Sequence, residues 1–459
     1  MQQKWLKTTA VEVASNKLSF YIETIEVNQL SPLAFFAAGE KDYKGKRFFW
    51  QNREKTLTIV GLGQAVVFEN RGNQQRFDEI EQQWKELTKN IVMEEQESQP
   101  ILFGGFTFDP ENTEPGEWDE FPQSYFTVAT FQLIKKHEKT YVSIHFITEQ
   151  QNSAELFDAL RDERDRLIHA AQVKELKTYE KPEIRSIHER NKDNYFQAVE
   201  TVTNLIRHNE ADKVVIARSL ELAFKNQPTS PQVIYQIMNE QPESFLFGLE
   251  RDHLLFFGAT PERLVKVKNQ YAYSACVAGS IKRGKTAEED KRLGEQLLSD
   301  SKNLKEHQYV VDMIENTFKK LCEEYRVPKR PKLLKIRDIQ HLYTPVEGKL
   351  YNDATILQLV KYLHPTPALG GVPRNKALEM IRKFEKMNRG LYAGPIGWMD
   401  ADGNGEFVVA IRSAALIDDK AYLYAGGGIV ADSNPMTEYE ETLVKFRPML
   451  RALGGQFNE

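Results

Sequence analysis

The chain has 459 residues, and its 61 Lys and Arg against 66 Asp and Glu give a formal net charge of −5. A chain of this length excludes a disulfide-stapled miniprotein and accommodates two or three domains, or one unusually large domain. Without an excess of positive charge, nucleic acid and anionic membranes are not expected as partners, so the predicted partner is a small molecule.

Two further features predict a cytoplasmic protein. The sequence has two cysteines, Cys276 and Cys322, and so few thiols in a long chain favour a reducing compartment in which both are buried. No run of the sequence reaches the ~20 apolar residues of a transmembrane helix, and residues 1–13 lack the apolar segment of a secretion signal.

The first part of the chain is predicted to consist mainly of strands, because short aromatic and β-branched runs alternate with Gly-, Asn- and Pro-rich turns. One helix is predicted to interrupt these strands, and a second helix to follow them. The predicted strands are 48–50, 57–60, 64–68 and 101–106, then a hairpin of 126–134 and 141–146 with its turn at 135–139, and the predicted helices are 74–87 and 152–173.

Residues 174–192, rich in Lys, Glu and Pro, are predicted to be a surface connection. This connection separates a strand-rich N-terminal region, 1–185, which completes the fold, from a catalytic region, 186–459. Because strands are grouped without regular βαβ alternation, the predicted fold class is α+β, with mostly antiparallel sheets and flanking helices. In the catalytic region the predicted helices are 193–209, 286–323 and 436–453, and the predicted strands are 213–222, 406–416 and 420–430.

A lysine occurs at the start of an apolar strand. Lys213 shares a strand face with Val215 and Ala217, which are expected to point into the interior. Burial disfavours the ammonium form, and a lysine in that position can act as a general base near neutral pH. The alternative is a lysine at the edge of the strand that pairs with Glu210 or Asp212.

Another candidate for proton transfer is Glu262, which follows Thr260 and Pro261. Thr and Pro at these positions suit the cap and the first turn of a helix. A carboxylate there either acts as a general acid or only interacts favourably with the helix dipole.

Three glutamates on predicted helices are candidates for binding a cation. Glu306 lies in a helical stretch with a dense apolar face, and Glu438 and Glu441 are three residues apart on one helical face. Ligation by carboxylate oxygens, with other positions left for water and an anionic substrate, is what Mg²⁺ prefers. Solvent exposure of these acidic side chains is the alternative.

Two glycine-rich pieces, 277–280 and 424–430, allow backbone N–H groups to approach a carboxylate closely. Neither matches the phosphate-binding pattern GxxxxGK[ST], so nucleotide binding has little support. Arg412, flanked by apolar residues on a predicted strand, offers a guanidinium group suited to a carboxylate.

Taken together, these motifs resemble those of the chorismate-utilising enzymes, in content and in order. The resemblance covers about residues 190–453 with specific motifs and the strand-rich part before them more loosely, and within the family it is greatest for isochorismate synthases. The motifs are DKVVIAR (212–218), GATPE (258–262), AGS (278–280), EH (306–307), HL (341–342), HPTPALGG (364–371), YAGPIGW (392–398), AIR (410–412) and EYEE (438–441).

The resemblance implies the fold of anthranilate synthase component I and an isomerase that converts chorismate to isochorismate. Water would add at C2 of the ring while the C4 hydroxyl leaves, which requires one group to take a proton and another to give one. By motif, Lys213 would be the general base that activates water, and Glu262 the general acid that protonates the departing hydroxyl.

The resemblance also implies a Mg²⁺ cofactor that binds the ring carboxylate of chorismate. Glu306 and Glu441 would hold the metal, with Glu438 beside it. The other residues implied to bind the substrate or line its pocket are Arg412, Tyr392, Gly279 and Ser280 around the second carboxylate, and His341, Ala368 and Lys445.

Single positions separate this chain from neighbouring subfamilies. Aminating relatives usually have Gln at the position of Lys213, so water is the implied nucleophile and no amidotransferase subunit is expected. Salicylate synthases, which also eliminate pyruvate, tend to carry Thr at the position of Ala368. Ser280 stands where Thr is frequent in the family, although both residues present a hydroxyl.

A long N-terminal region is more typical of menaquinone-type than of siderophore-type isochorismate synthases, so menaquinone biosynthesis is the favoured pathway. The alternatives are a siderophore-pathway isochorismate synthase, a salicylate synthase, and a catalytically silent chorismate-binding subunit.

Overall fold

The structure is a computed structural model that describes residues 19–72, 75–89, 91–93, 99–148, 154–173, 178–335 and 339–457. The strands are β1 Ser19–Glu26, β2 Arg47–Gln51, β3 Leu57–Leu62, β4 Val66–Asn70, β5 Ile91–Met93, β6 Ile101–Phe106, β7 Ser124–Val128, β8 Phe131–Lys136, β9 Lys139–Thr148, β10 Ile184–Arg190, β11 Lys213–Phe224, β12 Phe245–Arg251, β13 Leu254–Thr260, β14 Arg263–Lys268, β15 Tyr271–Lys282, β16 Cys322–Arg326, β17 Lys332–Lys335, β18 Ile339–Leu350, β19 Gly371–Val372, β20 Pro395–Asp400, β21 Gly405–Val409, β22 Ser413–Ile417 and β23 Lys420–Ile429. The helices are α1 Pro32–Ala38, α2 Arg76–Thr88, α3 Ala154–Val173, α4 Lys192–Arg207, α5 Ser230–Glu240, α6 Ala287–Ser299, α7 Ser301–Leu321, α8 Ile356–Leu363, α9 Arg374–Phe384 and α10 Pro435–Ala452.

The described strands form two sheets. The larger sheet has the order β10-β11-β23-β22-β13-β12-β2-β3-β8-β9-β1-β5, with β19 beside β11. The smaller sheet has the order β16-β18-β15-β14-β21-β20-β6-β7-β4, with β17 beside β18. Among these pairs β1 and β5 run parallel, and the others are antiparallel. The predicted α+β class with mostly antiparallel sheets is confirmed.

The central strands β2, β3, β12 and β13 of the larger sheet are buried on both faces, to which successive side chains point in turn. In β2, Phe48 stacks on Phe103 of the smaller sheet, with the ring centroids 4.5 Å apart. Its neighbour Phe49 packs edge to face against Phe36 of α1, at 6.1 Å on the opposite side. One apolar core therefore lies between the two sheets, and a second lies between the larger sheet and its helices.

Two predicted strands are divided in the structure because the chain passes from one sheet to the other within each of them. The predicted strand 126–134 ends as β7 of the smaller sheet and resumes as β8 of the larger sheet after Ala129 and Thr130. The predicted strand 406–416 is divided in the same way into β21 and β22. Apolar residues continue on both sides of each crossing, so the sequence pattern did not reveal it.

The predicted single helix 286–323 is wrong in one respect, since it is two helices, α6 and α7. The side chain of Asp300 accepts a hydrogen bond from the Asn303 N–H at 2.7 Å and caps α7. The predicted connection 174–192 contains the edge strand β10, which pairs with β11. Several further elements were not predicted, among them β1, α1, α5, α8 and α9.

The other predicted helices and strands are present with ends shifted by a few residues. Cys276 and Cys322 are buried thiols without a disulfide, as predicted. Residues 1–13, 152–153 and 174–177, on which sequence predictions were also made, lie outside the described residues.

Strands from both sides of residue 185 pair within each sheet, as in the pairs β2 with β12 and β6 with β20. The division of the chain into a completing region and a catalytic region stays a prediction. In the described ranges, none of the helices combines the length and the apolar character needed to cross a membrane.

Candidate active site

A cavity of about 830 Å³ lies between the two sheets and the helices α7 and α10. This volume is in the range of pockets that bind small metabolites. Its wall includes all twelve residues selected from the sequence, which are Lys213, Glu262, Gly279, Ser280, Glu306, His341, Ala368, Tyr392, Arg412, Glu438, Glu441 and Lys445. Residues up to 232 positions apart in the chain are thus brought to one place.

Lys213 is the first residue of β11 and is 2% exposed. Its Nζ donates a hydrogen bond to Oε1 of Glu306 on α7, and not to the neighbouring acids considered from the sequence. Space for the lysine side chain is left by Gly428 on the adjacent strand β23, where a Cβ would lie 2.6 Å from Cε of Lys213. The absence of a side chain at Gly428 therefore leaves room for the buried lysine, and the Glu306 carboxylate is its charged partner.

Glu262 lies at the corner where the chain leaves β13 in the larger sheet and enters β14 in the smaller sheet. The predicted helix start at Pro261 is wrong, because Arg263 already pairs as a strand residue. The Glu262 N–H donates to the Thr260 hydroxyl at 3.2 Å, and its carbonyl accepts from the Val409 N–H at 3.1 Å. The backbone N–H and the backbone carbonyl of Glu262 are therefore both fixed by hydrogen bonds.

The Glu262 carboxyl group is suited to holding a proton near neutral pH. Burial raises its pKa to about 7, although the positive charges of Lys213 and Arg412 act in the opposite direction. A carboxylic acid with such a pKa can donate a proton at physiological pH.

The remaining carboxylates of the cavity differ in their surroundings. Burial acts to raise the pKa of Glu306, but the charges of Lys213 and Lys445 outweigh it and the pKa is lowered. The pKa of Glu441 is lowered by Lys445, whose Nζ lies 2.6 Å from its Oε1. Burial raises the pKa of Glu438, despite the hydrogen bond that Ser433 Oγ donates to it at 2.7 Å.

In the described part of the chain, no three acidic, His or Cys side chains converge into a preformed metal site. The chemistry of the donors nevertheless fits Mg²⁺, because Glu306, Glu438 and Glu441 present oxygens to one cavity. A Cβ at Gly427 would lie 3.0 Å from Oε2 of Glu438, and one at Gly428 would lie 3.8 Å from Oε1 of Glu306. Both carboxylates thus lie over two adjacent glycines of β23.

His341 and Ser280 are joined across β15 and β18. Oγ of Ser280 lies 2.7 Å from Nδ1 of His341, and the Ser280 N–H donates to Oδ1 of Asn303 at 3.3 Å. Burial, aided by the charges of Arg412 and other cations, lowers the pKa of His341 to about 3. His341 is therefore neutral, and its buried Nε2 has no protein partner within the described ranges.

The backbone next to this pair contains a residue that needs glycine. Gly279 has φ +79°, in the left-handed region that other residues adopt rarely. An added Cβ would also lie 3.1 Å from Cδ1 of Leu342. The close approach of a carboxylate to the backbone N–H groups, inferred from the glycine-rich sequence, stays a prediction.

Arg412 does not lie within a strand, which corrects the sequence prediction. It occupies the crossing between β21 and β22 with φ 50°, and its carbonyl accepts from the Ala259 N–H at 3.0 Å. Non-glycine residues in the left-handed region are uncommon and collect at functional sites. The crossing directs the guanidinium of Arg412 into the cavity, where a continuous strand would not place it.

Tyr392 lies in the turn before β20 and is buried. Burial raises the pKa of its phenol to about 12, so the hydroxyl stays protonated. Ala368, in the loop after α8, and Lys445, whose Nζ donates to the Gly426 carbonyl at 2.8 Å, complete the selected set.

Arg389 and Tyr424 are among the residues of the cavity wall that were not selected from the sequence. Arg389 is buried and donates to the carbonyls of Val215 at 2.9 Å and Leu369 at 3.0 Å. Tyr424 stacks on Tyr392 with the ring centroids 5.1 Å apart. Their closeness in sequence to the motifs YAGPIGW and GGG was the available signal, but their contacts depend on distant parts of the chain.

The chain matches the family model described as chorismate binding enzyme over residues 6–454, and it therefore belongs to this family. It is 42% identical over 442 residues to isochorismate synthase MenF of Bacillus subtilis, which covers 94% of this chain and 93% of that protein. It is 34% identical over 449 residues to the salicylate biosynthesis isochorismate synthase of Pseudomonas aeruginosa, with 94% and 90% covered.

Among solved structures, the menaquinone-specific isochorismate synthase MenF from Escherichia coli shares the fold, with a TM-score of 0.78. The match covers 96% of this chain and 97% of that chain at 23% sequence identity. The predicted fold of the chorismate-utilising enzymes is thereby confirmed.

Proposed function

We propose that the protein is an isochorismate synthase that converts chorismate to isochorismate and serves menaquinone biosynthesis. The observation that carries this proposal is that Lys213 and Glu262 are both buried in the wall of one cavity, where Glu262 has a pKa of about 7. The 42% identity to a MenF isochorismate synthase over most of both chains supports the same activity.

The reaction needs an acid and a base in the same pocket. Glu262 holds a proton at neutral pH and gives it to the departing C4 hydroxyl, while Lys213 takes a proton from the water that adds at C2. As a base, Lys213 accepts the proton at Nζ, the atom that donates a hydrogen bond to Oε1 of Glu306 in this structure. The base role therefore requires Glu306 to turn to another partner when the substrate binds.

The other residues of the cavity bind and orient the substrate. Glu306 and Glu441 hold Mg²⁺, with Glu438 beside it, and the bound ion offsets repulsion between these glutamates and the substrate carboxylates. The residues that hold the second carboxylate and line the pocket are Arg412, Tyr392, the backbone at Gly279 and Ser280, His341, Ala368 and Lys445.

The decisive test is an assay of the purified chain with chorismate and Mg²⁺, with the products resolved by chromatography. We expect isochorismate without pyruvate or salicylate, and no requirement for an amidotransferase subunit. Pyruvate together with fluorescent salicylate would identify a salicylate synthase, and a complete lack of turnover would identify a silent binding subunit.

The roles of the acid and the base are tested by Lys213→Ala and Glu262→Gln. Each is expected to lower kcat by about 100-fold or more while chorismate still binds, because each removes a proton-transfer step. Turnover close to that of the wild type in either variant would refute the assignment. For the pathway, we expect the gene to restore menaquinone in cells that lack isochorismate synthase for that purpose.

A further inference from the structure

The segment 107–121 between β6 and β7, named here the strap, reaches from the N-terminal region to the turn 385–394 of the cavity wall. The Phe108 N–H donates to the Gly390 carbonyl at 2.7 Å. Nδ2 of Asn112 donates to the Met387 carbonyl at 2.9 Å. The strap therefore hydrogen-bonds to the backbone of the turn that carries Arg389 and Tyr392 into the cavity.

Charged and aromatic contacts fasten the first half of the strap. Asp109 pairs with Arg382 at 2.6 Å, and Glu111 pairs with the same guanidinium at 2.7 Å. The guanidinium of Arg389 lies over the ring of Phe108, 4.2 Å from its centroid. These contacts hold the strap against α9 and against the start of the turn.

The second half of the strap fixes one hydroxyl group. Nε1 of Trp118 donates to the hydroxyl of Tyr424 at 3.0 Å, and this hydroxyl donates to Oε1 of Glu117 at 2.6 Å. Oε2 of Glu117 pairs with Arg190 at 2.7 Å. With one donor and one acceptor satisfied by buried side chains, the Tyr424 hydroxyl is held in a single orientation.

Tyr424 transmits this constraint to the cavity through its ring. It stacks on Tyr392 with the centroids 5.1 Å apart and the planes 22° apart. Trp118 also packs on the backbone of the turn, since a Cβ at Gly390 would lie 2.0 Å from Cδ2 of Trp118. The ring of Tyr424, which stacks on Tyr392, is thus held in position by residues of the N-terminal region.

We propose that Glu117 and Trp118 are positioning residues for the substrate pocket, which hold Tyr424 and through its ring fix Tyr392 in the cavity wall. This inference rests on the proposed function, in which Tyr392 helps to bind a carboxylate of chorismate. A residue that binds ground state and transition state alike affects KM and leaves kcat nearly unchanged. Loss of the strap contacts is therefore expected to raise KM and to leave kcat nearly unchanged.

The first variants are Glu117→Leu and Tyr424→Phe, which remove the two ends of the same hydrogen bond. Glu117→Leu removes one hydrogen bond of this hydroxyl and is expected to raise KM for chorismate about five-fold. Tyr424→Phe also loses the bond from Trp118 and is expected to raise KM at least as much, with kcat within about two-fold of the wild type in both variants. Because both variants interrupt one chain of contacts through the Tyr424 hydroxyl, the double variant should have the KM of Tyr424→Phe alone. Glu117→Gln keeps an acceptor for the hydroxyl and should restore KM to nearly the wild-type value.

A matched control separates positioning from loss of stability. Glu23→Gln weakens contacts to Arg161 and Arg164 between β1 and α3, within the N-terminal region but away from the strap. This variant is expected to lower the unfolding temperature and to leave KM unchanged. If Glu117→Leu does not fold, Tyr424→Phe and Trp118→Phe, which keeps an aromatic ring and removes the N–H donor, provide the same measurement.

Dissociation constants for chorismate, measured by calorimetry in a Lys213→Ala background, make the test independent of turnover. Failure of the proposed function is seen as a lack of isochorismate from the wild type, whatever the strap variants do. The inference is overturned when the folded variants keep wild-type KM and wild-type dissociation constants, or when their effects add in the double variant.

Discussion

Lys213 and Glu306 contact each other across the cavity, with the amine donating to Oε1 of the carboxylate. The base and one metal ligand of the proposed reaction are therefore partners in this structure. The Lys213 side chain is 2% exposed and the Glu306 side chain is 31% exposed, so loss of Glu306 leaves the buried lysine without its charged partner.

The first prediction concerns Glu306→Gln, which removes the charged partner of Lys213. We expect the Mg²⁺ concentration for half-maximal activity to rise by about ten-fold or more, as a ligand of the ion is lost. The matched control is Glu440→Gln, which removes an exposed carboxylate between Glu438 and Glu441 on α10. A Mg²⁺ titration that is the same for both variants would contradict the role of Glu306.

The second prediction follows from the pKa of Glu262, which burial raises from 4.5 to about 7. The folded protein keeps a proton there that the unfolded chain has lost, so this group favours folding below pH 4.5 and loses that contribution as the pH rises to about 7. We expect kcat to fall above about pH 7, because the acid is then deprotonated.

The measurement for Glu262 is urea unfolding of the wild type and of Glu262→Gln at pH 5 and pH 8. The wild type should lose up to about 3 kcal/mol relative to the variant between these values, because one pKa unit corresponds to about 1.4 kcal/mol. Parallel stability profiles of the two proteins would show that the carboxyl group titrates near its ordinary value.

The third prediction is a contrast between two adjacent glycines. A Cβ at Gly428 would lie 2.6 Å from Cε and 3.1 Å from Nζ of Lys213, so Gly428→Ala displaces the base. We expect kcat to fall by about 100-fold, because small displacements of reacting groups are costly. Gly427→Ala would instead approach Oε2 of Glu438 at 3.0 Å and should alter mainly the Mg²⁺ requirement. Equal losses of kcat in both variants would contradict this division.

The fourth prediction is destabilisation by acid through buried histidines. Burial lowers the pKa of His145 to about 4, and the pKa of His341 and His364 to about 3. These histidines stay neutral in the folded protein and gain protons on unfolding. Their contribution to stability is therefore present above pH 6.5 and is lost as the pH falls from 6.5 toward the lowered pKa of the folded state.

The measurement is the free energy of unfolding between pH 6.5 and pH 4.5. His145→Gln, remote from the cavity, should reduce its slope by about 1.4 kcal/mol per pH unit, which is the contribution of one proton. The exposed His253→Gln should leave the slope unchanged. A slope in His145→Gln equal to that of the wild type would show that His145 is charged in the folded state.

Most individual strands and helices could be predicted because their patterns are local. A strand was predicted at Phe48, Phe49 and Trp50 because aromatic residues favour strands. A helix was predicted from the spacing of Val199 and Val202 without reference to any distant residue. The crossings at Ala129 and at Glu262 were not predicted, because the apolar pattern on either side is the same whichever sheet the chain enters.

The types of reactive residue and their order could be predicted from the sequence, since the family's motifs consist of neighbouring residues. The α+β class could likewise be predicted from the grouping of strands. The pairing of Lys213 with Glu306, and not with Glu210 or Asp212, could be seen only in the folded chain, as could the place of Arg412 at a crossing. Such contacts join residues far apart in the chain, and their geometry is set by the packing of two sheets and not by local preference.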